Sequence, residues 1–125
     1  MKTLKLYLRL NSLFSLFSGL SLIFFSEYFA SLFHIGNSIL FSIIGSGLVL
    51  FSIYVMIVSY NYLHNFKIVN TISVMDIIWA LASFTIIAFD LFDISSNGNL
   101  LIGIIAIWIS FLALMQIKYN RKKSE

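Results

Sequence analysis

The chain contains no cysteine and no proline. Without cysteine there is no disulfide scaffold, no thiolate metal site, no thiol redox chemistry and no cysteine nucleophile. Without proline no helix is kinked or broken by a missing amide, although membrane helices carry proline more often than soluble ones. Charge is scarce too. Only 10% of the 125 residues are Asp, Glu, Lys or Arg, against about 25% in an average soluble domain. Apolar side chains fill the space: 60% of residues are hydrophobic and the mean hydropathy is +0.98. A chain of this composition is expected to use lipid as the solvent for most of its length.

A hydrocarbon core about 30 Å thick takes about 20 apolar residues at 1.5 Å rise each. Four runs of that kind are present, at 6–25, 39–60, 68–89 and 100–117, within one domain covering 1–125. Each is read as a helix, because lipid offers backbone groups no other partner and a barrel strand would alternate in polarity. Lys2, Lys5 and Arg9 lie before or in the start of the first run as in a secretion signal. The run is long enough to span, however, and no small-x-small site follows Phe25, so an uncleaved first helix is expected.

Charge placement sets direction. With four crossings, all eight basic residues (Lys2, Lys5, Arg9, Lys67, Lys118, Arg121, Lys122 and Lys123) fall on one side, and Glu27, Asp90 and Asp93 fall on the other. The positive-inside rule then places both termini in the cytoplasm, in a bacterial-type inner membrane. Three or five crossings would scatter the lysines over both faces. The connections 61–67 and 90–99 are short, and the second carries the turn-prone run Ser95, Ser96, Asn97, Gly98 and Asn99. Short links make sequential helices antiparallel neighbours. Residues 27–35 are too apolar for a free loop and too few to span. They read as a short helix in the outer interface, which Gly36 and Asn37 end while capping the next span. The expected fold is all-α: a four-transmembrane-helix, up-down-up-down bundle with a short interfacial helix after the first span.

Burial of apolar surface cannot pair helices in lipid, so close packing through small residues has to contribute. On span two Ser38, Ser42, Gly45, Ser46, Val49, Ser52 and Ser59 project along one line. On span four Asn99, Gly103, Ala106, Ser110 and Ala113 follow a four-three spacing, and span one offers Asn11, Ser15, Ser18, Gly19 and Ser26. These stripes are expected to face protein.

Asp76 is the one acid inside a span, and an ionised carboxyl near mid-membrane costs about 2.5 to 3.5 kcal/mol even on lenient scales. It either carries a proton or finds partners, the candidates being Ser73 and Ser83 on its own helix, Asn11, or Arg9 reaching inward. Ser73, Asp76, Trp79, Ala80 and Ser83 share a face, so the acid is expected to point into the bundle. A structural acid pins helix register; a functional one binds a cation, moves a proton or holds a polar ligand.

Other chemistry is thin. His34 and His64 fall on opposite sides and cannot share a metal, and Asp90 with Asp93 lacks further oxygen ligands. No phosphate loop, zinc-protease helix or nucleophile elbow occurs. Neither an enzyme nor a cofactor is expected. Tyr54, Tyr60, Tyr62 and Tyr119 near the inner ends, with Tyr28 near the outer one, read as interface anchors rather than a nucleic-acid platform. The tail Lys118, Arg121, Lys122 and Lys123 reads as a topology signal and a contact for anionic lipid headgroups. The expected partners are membrane lipids, with a second copy or another membrane protein open, and not nucleic acid.

With Arg9-x-Asn11 in span one, the small-residue stripe of span two and Asp76-x-x-Trp79 in span three, the chain resembles a loose group of small bacterial four-helix membrane proteins with no assigned activity. The likeness covers nearly the whole length, but its motifs carry no role to any residue. Small multidrug-resistance transporters are set aside because they carry an acid in the first helix, whereas none precedes Glu27 here. Four-span fluoride channels use a broken third helix and an asparagine in the second. Here the third span has no glycine or proline and 39–60 has no asparagine. The one-sided basic residues also argue for a single orientation, against the antiparallel pairs both families form. Three roles stay open: structural, accessory or binding action through helix and lipid contacts; a small proton- or cation-coupled transporter or channel using Asp76; and a bundle that binds a lipid or quinone between helices lined by Trp79 and phenylalanines.

Overall fold

The computed structural model describes residues 2–89 and 94–124, the side chains of 122–124 excepted. Asp90 and Asp93 lie outside the described residues, as do the side chains of Lys122 and Lys123. The described residues are all-α, with five helices: α1 (Lys2–Phe24), α2 (Ser26–Phe33), α3 (Ser38–Asn61), α4 (Phe66–Phe89) and α5 (Ser96–Ser124). All but α2 are long and apolar enough to cross a membrane, so this is a four-span integral membrane protein. Helix α5 runs past the expected boundary at 117. The basic tail leaves the apolar slab but is rich in Lys and Arg, which are good helix formers, and a change of solvent does not end a helix that keeps its own backbone bonds.

The four long helices form the sides of a square. Helix α1 packs along α3, α4 packs along α5, and α1 meets α5. The fourth side, α3 against α4, is almost without contact. Spans one and two (α1, α3) and spans three and four (α4, α5) are therefore neighbours as expected, whereas spans two and three (α3, α4), expected to be neighbours as well, are splayed apart. The short link 61–67 holds α3 and α4 together only at that end, where Leu4 and Leu8 of α1, Val55 and Val58 of α3, and Val69 and Ile72 of α4 form one buried cluster. Beyond the cluster α4 buries Ser73, Asp76 and Ala80, and Asp76 bonds to α1 and α5 rather than α3.

Helices α1 and α3 come close at Gly19 and Gly45, each of which leaves no room for a side chain on the other. Nearby, Ser12 Oγ donates to the carbonyl of Ser52 across the same pair at 2.7 Å. The stripe of span two is used selectively. Gly45, Ser52 and Ser59 are buried and Ser42 is half-buried. Ser46 is exposed to the lipid side and its hydroxyl returns to the Ser42 carbonyl. The buried residues follow the 41-45-52-55-59 seam, and Ser46 stands about 100° off it, one residue beyond Gly45. On α5, Ala106 is fully buried, Gly103 is half-buried beside Ile87, and Ser110 bonds the Ala106 carbonyl.

Helix α2 does more than lie in the interface. Ala30 and Phe33 are buried against Phe41 of α3, with Ile94, Leu101 and Ile102 packed around them. Ser95 ties it to the start of α5, donating from its hydroxyl to the Leu32 carbonyl and from its amide to the Phe33 carbonyl. Asn37 caps α3, accepting from the Ile39 amide at 3.0 Å. The left-handed residue that ends α2 is His34 (φ 59°), not Gly36, and the His34 and Ile35 amides close the helix on Ser31 and Ala30.

The basic ends of α1, α4 and α5 come together with the Tyr60 end of α3. Tyr7 of α1 stacks on Tyr119 of α5, Asn120 of α5 donates to the Phe66 carbonyl at the start of α4, and Lys5 and Arg9 lie over the Tyr60 ring at the end of α3. Lys2, Lys67, Lys118 and Arg121 belong to the same end of the bundle, and exposed Glu27 of α2 to the other.

Candidate functional site: a buried carboxyl beside an open cleft

Asp76 is the eleventh residue of the 24 in α4, which places it about 15 Å along the helix axis, near the middle of that helix. It is 4% exposed. Asn11 of α1 and Gln116 of α5 are buried beside it. Asn11 Nδ2 donates to Asp76 Oδ2 at 2.7 Å, Gln116 Nε2 donates to the same oxygen at 3.0 Å, and Asn11 Nδ2 donates to Gln116 Oε1 at 3.2 Å. Three helices are thus joined by a closed triangle of side chains. Ser15, one turn beyond Asn11, reaches Asn11 Oδ1 at 3.5 Å, the outer limit of a hydrogen bond. Turning either amide over would set carbonyl oxygen against carboxyl oxygen, so the network itself fixes their orientation.

The magnitudes agree with this arrangement. Hydrogen bonds to a charged group contribute about 1.5 to 3 kcal/mol each, so two of them offset the roughly 2.5 to 3.5 kcal/mol of placing a carboxyl at this depth.

Of the sequence candidates, the structure brings Asn11 to Asp76 and leaves the others apart from it. Arg9 stands about 200° around α1 from Asn11 and its guanidinium lies 4.3 Å from the Tyr60 ring centroid. Reaching Asp76 would require it to turn through the helix. Ser73 is fully buried on the Asp76 face, but its hydroxyl has no hydrogen-bond partner among the described residues. Ser83 is two turns away and bonds the Trp79 carbonyl. Gln116 went unread in the sequence. It is the chain's only glutamine and lies three residues beyond Ala113 on the buried face of α5, a signal obscured by its place at the end of span four, where polar residues are ordinary. Asn120, one turn further, is the other buried amide that sequence reasoning passed over.

Only Oδ2 of Asp76 is used: among the described residues no donor reaches Oδ1. The carboxyl forms part of the floor of a cleft of about 290 Å³ at the splayed α3–α4 side. Ile44, Gly47, Leu48 and Phe51 of α3 form one wall, Met75 and Trp79 of α4 the other, and Ser15 and Ile109 complete the floor with Asp76. A side chain built on Gly47 would meet nothing within 4 Å. Comparison with family models, with curated proteins and with solved structures found no match to this chain, so the resemblance noted above identifies no family. A larger hollow of about 390 Å³ beside the α1–α2 turn is walled by five consecutive residues, Phe24 to Tyr28, and gathers no groups from other elements.

Proposed function

We propose that the protein is a structural, accessory or binding component of a cytoplasmic (inner) membrane, acting through helix and lipid contacts and not by catalysis. The observation that carries this reading is the closed Asn11–Asp76–Gln116 triangle. The one intramembrane acid takes hydrogen bonds from amides on two other helices, and the cleft beside it is lined mainly by apolar side chains. A carrier or channel would need that acid on a polar route. In the proposed orientation the basic end faces the cytoplasm with both termini, and Lys118, Arg121, Lys122 and Lys123 meet anionic headgroups. A second copy or another membrane protein on the lipid-facing helix surfaces belongs to the same reading.

In vesicles holding a pH-sensitive dye, with an imposed membrane potential, the purified protein is expected to give no more proton or sodium flux than empty vesicles. Flux that Asp76→Asn abolishes would establish the transport reading instead. Orientation is checked separately: a membrane-impermeant amine reagent added to intact cells is expected to leave Lys118 to Lys123 unmodified until the membrane is opened. Modification before that point reverses the map.

The α3–α4 cleft favours a second reading, a bundle that binds an apolar ligand. Its walls come from two helices that part where sequential helices normally close, and such concave, mostly apolar sites with a few polar groups are the usual form of ligand pockets.

A further inference from the structure

The cleft reading can be taken to a class of ligand. We infer that the α3–α4 cleft holds a lipid-soluble ring compound bearing a hydroxyl, whose O–H donates to Oδ1 of Asp76; this rests on the second reading above.

Three features of the site define the ligand. The first is the unused oxygen. Asp76 is 4% exposed, both amide donors converge on Oδ2, and Oδ1 takes no hydrogen bond from any described residue, although the carboxyl borders the cleft. An acceptor oxygen that borders an apolar cleft and has no donor is costly in lipid, where no water replaces the missing partner. The second is the lining. Apart from Ser15 and Asp76 the cleft is walled by apolar and aromatic side chains, and a lipid acyl chain brings no donor into it. The occupant that satisfies Oδ1 must itself be lipid-soluble and carry its own donor. The third is shape. A cleft of about 290 Å³ is roughly twice the cavity of about 150 Å³ known to admit benzene, so a fused bicyclic ring is within its size. Gly47 leaves the α3 wall flat, and Phe51 and Trp79 offer ring faces and edges on either side. A ring with one hydroxyl, the chemistry of a phenol, a naphthol or a reduced quinone, meets all three.

The test uses two bromonaphthalenes of nearly equal size, 6-bromo-2-naphthol and its methyl ether, which differ in whether they can donate a hydrogen bond. Bromine quenches tryptophan fluorescence on contact. The protein has two tryptophans, and Trp108 packs on Phe111 away from the cleft lining, so Trp108→Phe leaves Trp79 as the reporter. In detergent-solubilised protein the naphthol is expected to quench saturably and to bind at least tenfold more tightly than the ether. Gly47→Leu, which projects into open space and leaves the fold intact, is expected to abolish saturable quenching by both. Asp76→Asn is expected to remove the preference, because its carbonyl oxygen is taken by Asn11 and Gln116 and its NH2 group then faces the cleft, where it cannot accept from a hydroxyl.

The two levels fail differently. Equal, saturable, Gly47-sensitive binding of naphthol and ether would leave an apolar cleft and overturn the donor inference. Quenching that is non-saturable, or unchanged by Gly47→Leu, would overturn the cleft as a site altogether. Native preference that persists in Asp76→Asn would remove Oδ1 as the acceptor.

Discussion

Removing both amides while keeping the acid, as Asn11→Leu with Gln116→Leu, is expected to lower stability by about 2 to 3 kcal/mol. Adding Asp76→Leu to that double variant is expected to recover most of the loss. The first step leaves a buried carboxyl with no donor on either oxygen. Charge-assisted bonds contribute about 1.5 to 3 kcal/mol each in soluble proteins, but side-chain hydrogen bonds between membrane helices measure about 0.6 kcal/mol on average and up to about 1.7, so two lost bonds fall in the lower part of the combined range. The second step removes the group that needed them, and apolar replacement of a whole buried polar cluster is often neutral or stabilising. Asp76→Asn alone is expected to cost little, since one amide oxygen can accept both bonds now received by Oδ2. The measurement is unfolding of the purified protein in mixed micelles as denaturing detergent is titrated. A double variant as stable as the native chain, or a triple variant no better than the double, would contradict the role given to the triangle.

Sequence and structure agree most closely where lipid imposes the rule. Runs of about 20 apolar residues have to be helices, and four of them with every basic residue at one end have to run up and down, so the spans were legible without coordinates. The pairing of Asn11 with Asp76 was legible for a related reason, since a polar group deep in a span has few partners from which to choose. Three features were not. Gln116 lies in the last turn of its apolar run, where nothing in hydropathy separates a buried amide from one at the interface. The selective use of the span-two stripe depends on α1 meeting the Gly45 face, which leaves Ser46 toward lipid; the stripe alone gives a sector and not a partner. The splay of α3 from α4 was hidden because a short link fixes the distance between helices at one end only, and the angle follows from what each helix buries beyond it. That third omission is also where the cleft forms.

The contact of Gly19 with Gly45 gives the other large effect. A Cβ on Gly45 would lie 2.5 Å from the Gly19 carbonyl oxygen and 3.0 Å from both Leu22 Cβ and Ile23 Cγ1, and a Cβ on Gly19 would lie 2.6 Å from the Gly45 carbonyl oxygen. The obstruction is backbone, which cannot rotate aside as the end of a side chain can, so α1 and α3 have to separate. Overpacking of this kind costs about 1 to 3 kcal/mol in well-packed interiors. Gly45→Ala is therefore expected to lose about 2 kcal/mol and Gly45→Val more, because its second methyl branches at the point of contact. The shift should also reach the polar triangle. Ser12, whose hydroxyl crosses to the Ser52 carbonyl, and Asn11, which holds Asp76, are neighbours on α1, and moving that helix off α3 disturbs both. Gly45→Ala and Gln116→Leu are accordingly expected to be non-additive, although the two residues share no contact. Gly47 supplies the control. It lies two residues from Gly45 in the same helix but has nothing within 4 Å of an added Cβ, so Gly47→Ala is expected to hold or raise stability by up to about 1 kcal/mol through helix propensity alone. If both glycines respond alike, the penalty at Gly45 belongs to helix propensity or to lipid contact, and the close crossing of α1 and α3 is not what holds this side of the bundle together.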